Sequence, residues 1–181
     1  LEDDAGDQIE EFAAKDGVEG IKFYPARYQN GNDLSLQLTE DAVWPLLQRV
    51  ADSEVDTLAI HKFIPFATAP VRYFKPDDIE DAANSFPDIN FEIIHAGFSF
   101  VEETVLAMAS HDNVYANLEN TACLVNTRPR KFAKALGDML YWPGPDLIVY
   151  ASGALALHPQ PPTEGTQNVE MPEDLIEESD Y

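Results

Sequence analysis

Two short apolar runs in the middle of the chain each end in a histidine: Thr57-Leu58-Ala59-Ile60-His61 and Asn90-Phe91-Glu92-Ile93-Ile94-His95. Both are rich in branched and aromatic residues, and each is followed by a segment long enough for a helix. This predicts two parallel strands with imidazoles at their carboxyl ends, the edge of a parallel sheet where sites are built. Side chains alternate along a strand. With His61 turned inward, Ala59 shares its face while Leu58 and Ile60 meet the helices; with His95 inward, Ile93 and Phe91 line the interior. A single histidine there is as readily a satisfied core or loop residue. Two at the same topological position favour a site.

The flanking sequence repeats the alternation of strand and helix. Ile9, Phe12 and Ala13 stand at helical spacing within residues 7–16, and Gly17 supplies a stop. Residues 20–25 alternate as a strand that Pro25 ends, and residues 26–33 have loop chemistry. Thr39 is the expected N-cap of a helix with Val43, Leu46, Leu47 and Val50 on its buried stripe; Pro45 marks either its true start or a bend. Residues 62–70, with Phe63, Pro65, Phe66 and Pro70, read as a substrate wall. Further helices carry Ile79, Ala82 and Ala83, then Val105, Leu106 and Met108, then Phe132, Leu136 and Leu140. Strands are expected at residues 113–119 and 146–153. From Ala154 the chain is proline-rich and acidic, with a short helix near residues 172–177. Five strands separated by four helices argue for parallel pairing with right-handed crossovers. Periodicity leaves both a doubly wound sheet and a barrel open, although no glycine-rich phosphate loop follows any strand.

A length of 181 residues with 45% apolar content suits one domain with a core. A complete eight-unit barrel takes about 250 residues, so a barrel reading implies an incomplete one. The formal charge of -22, from 33 acids against 11 bases, repels phosphate backbones and anionic bilayers and argues against nucleic-acid or membrane partners. Seven of the acids lie between Glu164 and Asp180. No run approaches membrane-spanning length, and the opening residues lack a signal-peptide pattern. Cys123 is the only cysteine, which excludes an internal disulfide and fits a reducing, cytoplasmic location.

The segments Gly20-Ile-Lys-Phe-Tyr-Pro-Ala-Arg27, Leu58-Ala-Ile-His-Lys62, Phe86-Pro-Asp-Ile-Asn-Phe-Glu-Ile-Ile-His-Ala-Gly97 and Asn113-Val-Tyr-Ala-Asn-Leu-Glu119 together resemble the amidohydrolase superfamily. The likeness is to the branch of metal-dependent hydrolases and decarboxylases that includes aminocarboxymuconate-semialdehyde decarboxylase and the resorcylate decarboxylases. The resemblance implies an α/β fold of the (β/α)8 TIM-barrel type, here strands four to eight with an incomplete amino-terminal part. Residues 1–162 would form the partial barrel, and residues 163–181 an acidic extension of the same domain. It also implies His61 as a ligand to a divalent metal, Zn²⁺ foremost, and His95 as the catalytic residue beside metal-bound water. Lys22 is similar in placement to the carboxylated strand-four lysine of two-metal relatives, but it stands mid-strand rather than at the strand end, which argues against that role. Ser152, Gly153 and Ala154 occupy the place of the expected strand-eight aspartate, and the paired strand-one histidines have no counterpart in the chain.

Arg27 and Lys62, each just past a strand end, and His158, shortly after the last strand, are the expected substrate-binding residues. Glu119 ends a strand and is a candidate inward acid. His111 reads as a turn residue. The leading expectation is a metal-dependent hydrolase or C–C lyase acting on a small carboxylated, aromatic compound. One alternative is a metal-independent hydrolase of an activated ester such as a coenzyme A thioester, with His95 and His158 as acid and base. The other is a non-catalytic barrel-like subunit. An open parallel sheet leaves unpaired edges, so a homo-oligomer or a partner chain completing the barrel is expected.

Overall fold

The computed structural model describes residues 4–26, 28–29, 32–33, 35–62, 69–154 and 158–179. In chain order its elements are α1 (Ala5–Ala13), β1 (Gly20–Phe23), β2 (Tyr28–Gln29), β3 (Asn32–Asp33), α2 (Trp44–Ala51), β4 (Thr57–His61), α3 (Ile79–Ser85), β5 (Asn90–Ile94), α4 (Val101–Ser110), β6 (Val114–Asn117), α5 (Leu124–Thr127), α6 (Pro129–Tyr141), β7 (Ile148–Val149), α7 (Gln160–Gln167) and α8 (Glu173–Ser179). Strands β2 and β3 form a small antiparallel pair, while β1, β4, β5, β6 and β7 form one parallel sheet in that spatial order.

The order decides between the two architectures left open by periodicity. Each new strand joins the sheet beside its predecessor and the order never reverses, so right-handed crossovers place successive helices on one face. A doubly wound sheet would reverse direction partway. The register sets Ile21, Leu58, Phe91 and Val114 in one row and Phe23, Ile60, Ile93 and Ala116 in the next. These residues pack with Val43, Leu47 and Val50 of the α2 region, Ile79 and Ala82 of α3, and Val105 and Met108 of α4 in the main apolar core. The opposite face carries Lys22, Ala59, Glu92 and Tyr115 in one row and His61, Ile94, Asn117 and Val149 in the row above. Half of an incomplete barrel wall has this form, with an apolar side under helices and a polar inner side.

The expected inner face of β5 is corrected by this register. Phe91 and Ile93 are fully buried on the helix side, and the inward residues are Glu92 and Ile94. His95 is not the last strand residue. It opens a single 3₁₀ turn with a left-handed backbone, φ 70, and Ala96 follows at φ 47. Counting alternation back from His95 therefore gives the wrong phase.

Other boundaries shift for local reasons. α2 starts at Trp44 with Pro45 in its first turn, where a missing N–H costs nothing, and Thr39 lies outside the helix. Prolines 161 and 162 fall in the first turn of α7, so part of the proline-rich segment after the last strand is a helix that was not expected there. Residue 163, the expected start of the extension, lies within it. The last strand is only Ile148–Val149, half-buried at the sheet edge.

Lys62 is also corrected. Its side chain is fully buried, and Nζ donates to Asp78 Oδ1 at 2.6 Å and to the Tyr73 carbonyl at 3.2 Å. Asp78 Oδ2 accepts the Leu38 N–H at 2.9 Å. The ammonium thus ties the end of β4 to the start of α3 and to the segment before α2. It is unavailable to a substrate.

Candidate active site

β4 delivers His61 to the carboxyl rim of the sheet, and the turn after β5 delivers His95. Register pairs His61 with Ile94, so the two imidazoles arise side by side. Their ring centroids are 4.6 Å apart with planes at 84°, and His95 Nε2 lies 3.2 Å from His61 Nδ1. Tyr24, just beyond β1, stacks on His61 at 5.0 Å, and Phe74 meets it edge-on at 6.4 Å. Tyr24 is half exposed, whereas His61 is 7% and His95 3% exposed. One wall of the imidazole pair is therefore a half-exposed aromatic side chain.

The loop after β6 holds His95. Its Nδ1 is 2.8 Å from the Glu119 carbonyl, and the Thr121 hydroxyl donates to the His95 carbonyl. Asn117 accepts the Glu119 N–H through Oδ1 at 2.9 Å and donates to Glu92 Oε2 at 2.9 Å. Lys22 Nζ pairs with Glu119 Oε2 at 3.1 Å and lies 5.3 Å from the Tyr24 ring centroid. The inner face is thus a connected, partly buried polar network, whose hydrogen bonds help fix side-chain geometry.

Burial, then the charge of His95 and that of Lys22, pull His61 down to about 4 from the ordinary 6.5. Burial also holds His95 below its usual value, against the raising influence of the Glu119 carbonyl and carboxylate. Both rings are neutral at neutral pH. The unfolded chain takes up the His61 proton first as pH falls. The stabilising contribution is therefore complete above about pH 6.5 and is lost toward pH 4, roughly 2–3 kcal/mol by pH 4.5. Urea unfolding at pH 7 and pH 4.5 should show a smaller acid loss for His61→Gln than for the wild type, the carboxylate contribution being common to both. Equal losses would contradict a buried neutral His61.

The expected site residues divide clearly. His61 and His95 come together, Lys62 is turned into the protein, and Arg27 lies outside the described residues. His158 is exposed at the start of α7, where its Nδ1 accepts the Gln160 N–H at 3.3 Å. Lys22 and Glu119 join each other and border the imidazole pair. Tyr24, Asn117, Asn120 and Thr121 were not read from sequence as site residues. Tyr24 had a usable signal, since Ile21 and Phe23 face the core and leave Lys22 and Tyr24 on the opposite phase. Among the described residues no group of three or more histidine, cysteine or acidic side chains is arranged to hold a metal ion. The described donors alone do not fit a zinc site, which takes three or four protein ligands.

A one-sided β/α wall with paired imidazoles on its carboxyl rim defines a partial TIM-barrel protein with a barrel-type site. The chain belongs to the amidohydrolase family, whose model matches residues 2–177. No curated protein matches significantly. Among solved structures, 2,6-dihydroxybenzoate decarboxylase from Rhizobium is 11% identical with a TM-score of 0.68, the match covering 94% of this chain and 62% of that one. Dihydroxybenzoic acid decarboxylase from Polaromonas sp. JS666, with bound manganese and the inhibitor 2-nitroresorcinol, is 13% identical with a TM-score of 0.66, covering 95% and 61%. An uncharacterized TIM-barrel protein from Bordetella bronchiseptica is 13% identical with a TM-score of 0.60, covering 89% and 53%. The chain thus spans between 53% and 62% of the length of these structures. No helix among the described residues is long and apolar enough to cross a membrane.

Proposed function

We propose that the chain forms part of an amidohydrolase-type hydrolase or C–C lyase acting on a small carboxylated, aromatic compound. The observation that carries this reading is the contact between His61 and His95, 3.2 Å apart on the carboxyl rim of a parallel sheet. His95 is the acid/base group. A neutral imidazole takes a proton as a bond breaks, and the imidazolium so formed returns it, to carbon where CO₂ leaves; positioned proton transfer contributes about 10²–10⁴-fold in rate. His61 is an imidazole of the kind that binds a divalent ion, Zn²⁺ being the first candidate. Such a site needs further donors beyond the described residues. The dihydroxybenzoate decarboxylases among the structural neighbours support the aromatic carboxylate class. Arg27 and His158 remain the proposed substrate-binding residues.

β1 and β7 each have one neighbour in the sheet among the described residues. A second copy or a partner chain completing the barrel accords with this, in the cytoplasm; a monomer by sedimentation at micromolar concentration would contradict it. A second reading, metal-independent hydrolysis of an activated ester such as a coenzyme A thioester, draws support from the two-donor character of the described rim.

The test is CO₂ release from 2,6-dihydroxybenzoate and related hydroxybenzoates, and thioester cleavage of benzoyl-coenzyme A, before and after exhaustive chelation. The proposal expects turnover of the carboxylates that chelation removes and that His95→Gln lowers by about 10²-fold or more. Thioester cleavage that survives chelation selects the second reading. No turnover of either class, or turnover indifferent to His95→Gln, contradicts both.

A further inference from the structure

We propose that the loop from Glu119 to Thr121 is a positioning device that fixes the tautomer of His95. The imidazole pair is thereby wired in one direction, and the lone pair of His61 is left on its Nε2. The catalytic meaning of this assignment rests on the function proposed above; the assignment itself does not.

A backbone carbonyl only accepts, so the 2.8 Å contact with Glu119 O requires a proton on His95 Nδ1. In the neutral ring Nε2 is then the acceptor, and the atom facing it at 3.2 Å, His61 Nδ1, must be the donor. His61 consequently holds its lone pair on Nε2. The reverse wiring would set two lone pairs against each other at the Glu119 carbonyl. His61 is thus left with its Nε2 lone pair for the ligand role proposed above, and His95 Nε2 is the acceptor within the pair.

Three features of the loop serve this arrangement. Glu119 O also accepts the Thr121 N–H at 2.7 Å, which holds the carbonyl in place. The Thr121 hydroxyl, on a residue 1% exposed, donates to the His95 carbonyl. That bond helps maintain the left-handed backbone at φ 70, a conformation that non-glycine residues adopt only with support. Asn120, itself at φ 58, places its amide 3.4 Å from His95 Nδ1. Its Oδ1 is buried without a hydrogen bond among the described residues. Turning the amide so that Oδ1 faces the Nδ1–H removes a donor–donor contact and satisfies that oxygen together.

The tautomers are read by long-range ¹H–¹⁵N correlation on histidine-labelled protein at pH 7.5. The expected result is a protonated-type nitrogen at Nδ1 and a bare-type nitrogen at Nε2 in both rings. Thr121→Val should turn the single His95 pattern into a tautomer mixture and lower kcat by about tenfold at unchanged KM, as loss of an outer partner does; Thr121→Ser should restore both. A bare Nδ1 on His95 in the wild-type protein overturns the proposal without any variant. So does a Thr121→Val protein that keeps the single pattern. Correct tautomers in a protein that turns over no substrate leave the wiring standing and count against the function alone.

Discussion

Replacing Lys62 by methionine is expected to destabilise the protein by about 3–5 kcal/mol, the cost of leaving one partner of a buried ion pair without its counter-charge. The ammonium is fully buried, and burial pulls its pKa below the ordinary lysine value while the Asp78 charge and hydrogen bond oppose that change. Removing it strands Asp78, whose other oxygen still has to receive the Leu38 N–H. Pairing the change with Asp78→Asn should recover most of the loss. The amide oxygen can still accept from Leu38, and no unpaired charge stays in the interior. The check is urea unfolding of the wild type, both single variants and the double variant. A Lys62→Met protein within 1 kcal/mol of the wild type, on the scale of an exposed pair, would show that the pair does not lock the rim as described.

The same pair explains why the lysine deceived a reading from sequence. Lys62 follows a rim histidine directly and so resembles a substrate cation, but its partner Asp78 lies 16 residues away, immediately before α3. Nothing local marks an interior ion pair. By contrast, the helix-facing side of β4 was legible because Leu58 and Ile60 alternate cleanly, and both are buried where expected. The alternation of strands and helices likewise announced parallel pairing, and the structure resolved barrel from doubly wound sheet through strand order alone.

The inner face of β5 was lost to backbone geometry. His95 and Ala96 take left-handed conformations without a glycine to advertise them, so a count that is sound inside the strand fails one residue beyond it. The support of His95 was hidden for a different reason. Its ring nitrogen is held by the backbone carbonyl of Glu119, and a main-chain group leaves no trace in the side-chain pattern. The two histidines themselves were legible because each ends an apolar run at an equivalent place in successive β/α units.

The second large effect concerns that pair directly. Once a turned-over substrate is in hand, His61→Gln and His95→Gln should each lower kcat by about 10²–10⁴-fold, because under the proposed function either change breaks up a pair of rings that act as one unit. The decisive measurement is the double-mutant cycle on kcat. With the rings acting together, the doubly substituted enzyme should be no more than about threefold slower than the worse single variant, as groups that function as one unit are strongly non-additive. Single effects that multiply in the double variant, or either single variant within about twofold of the wild type on that scale, would contradict a shared imidazole rim as the reactive centre.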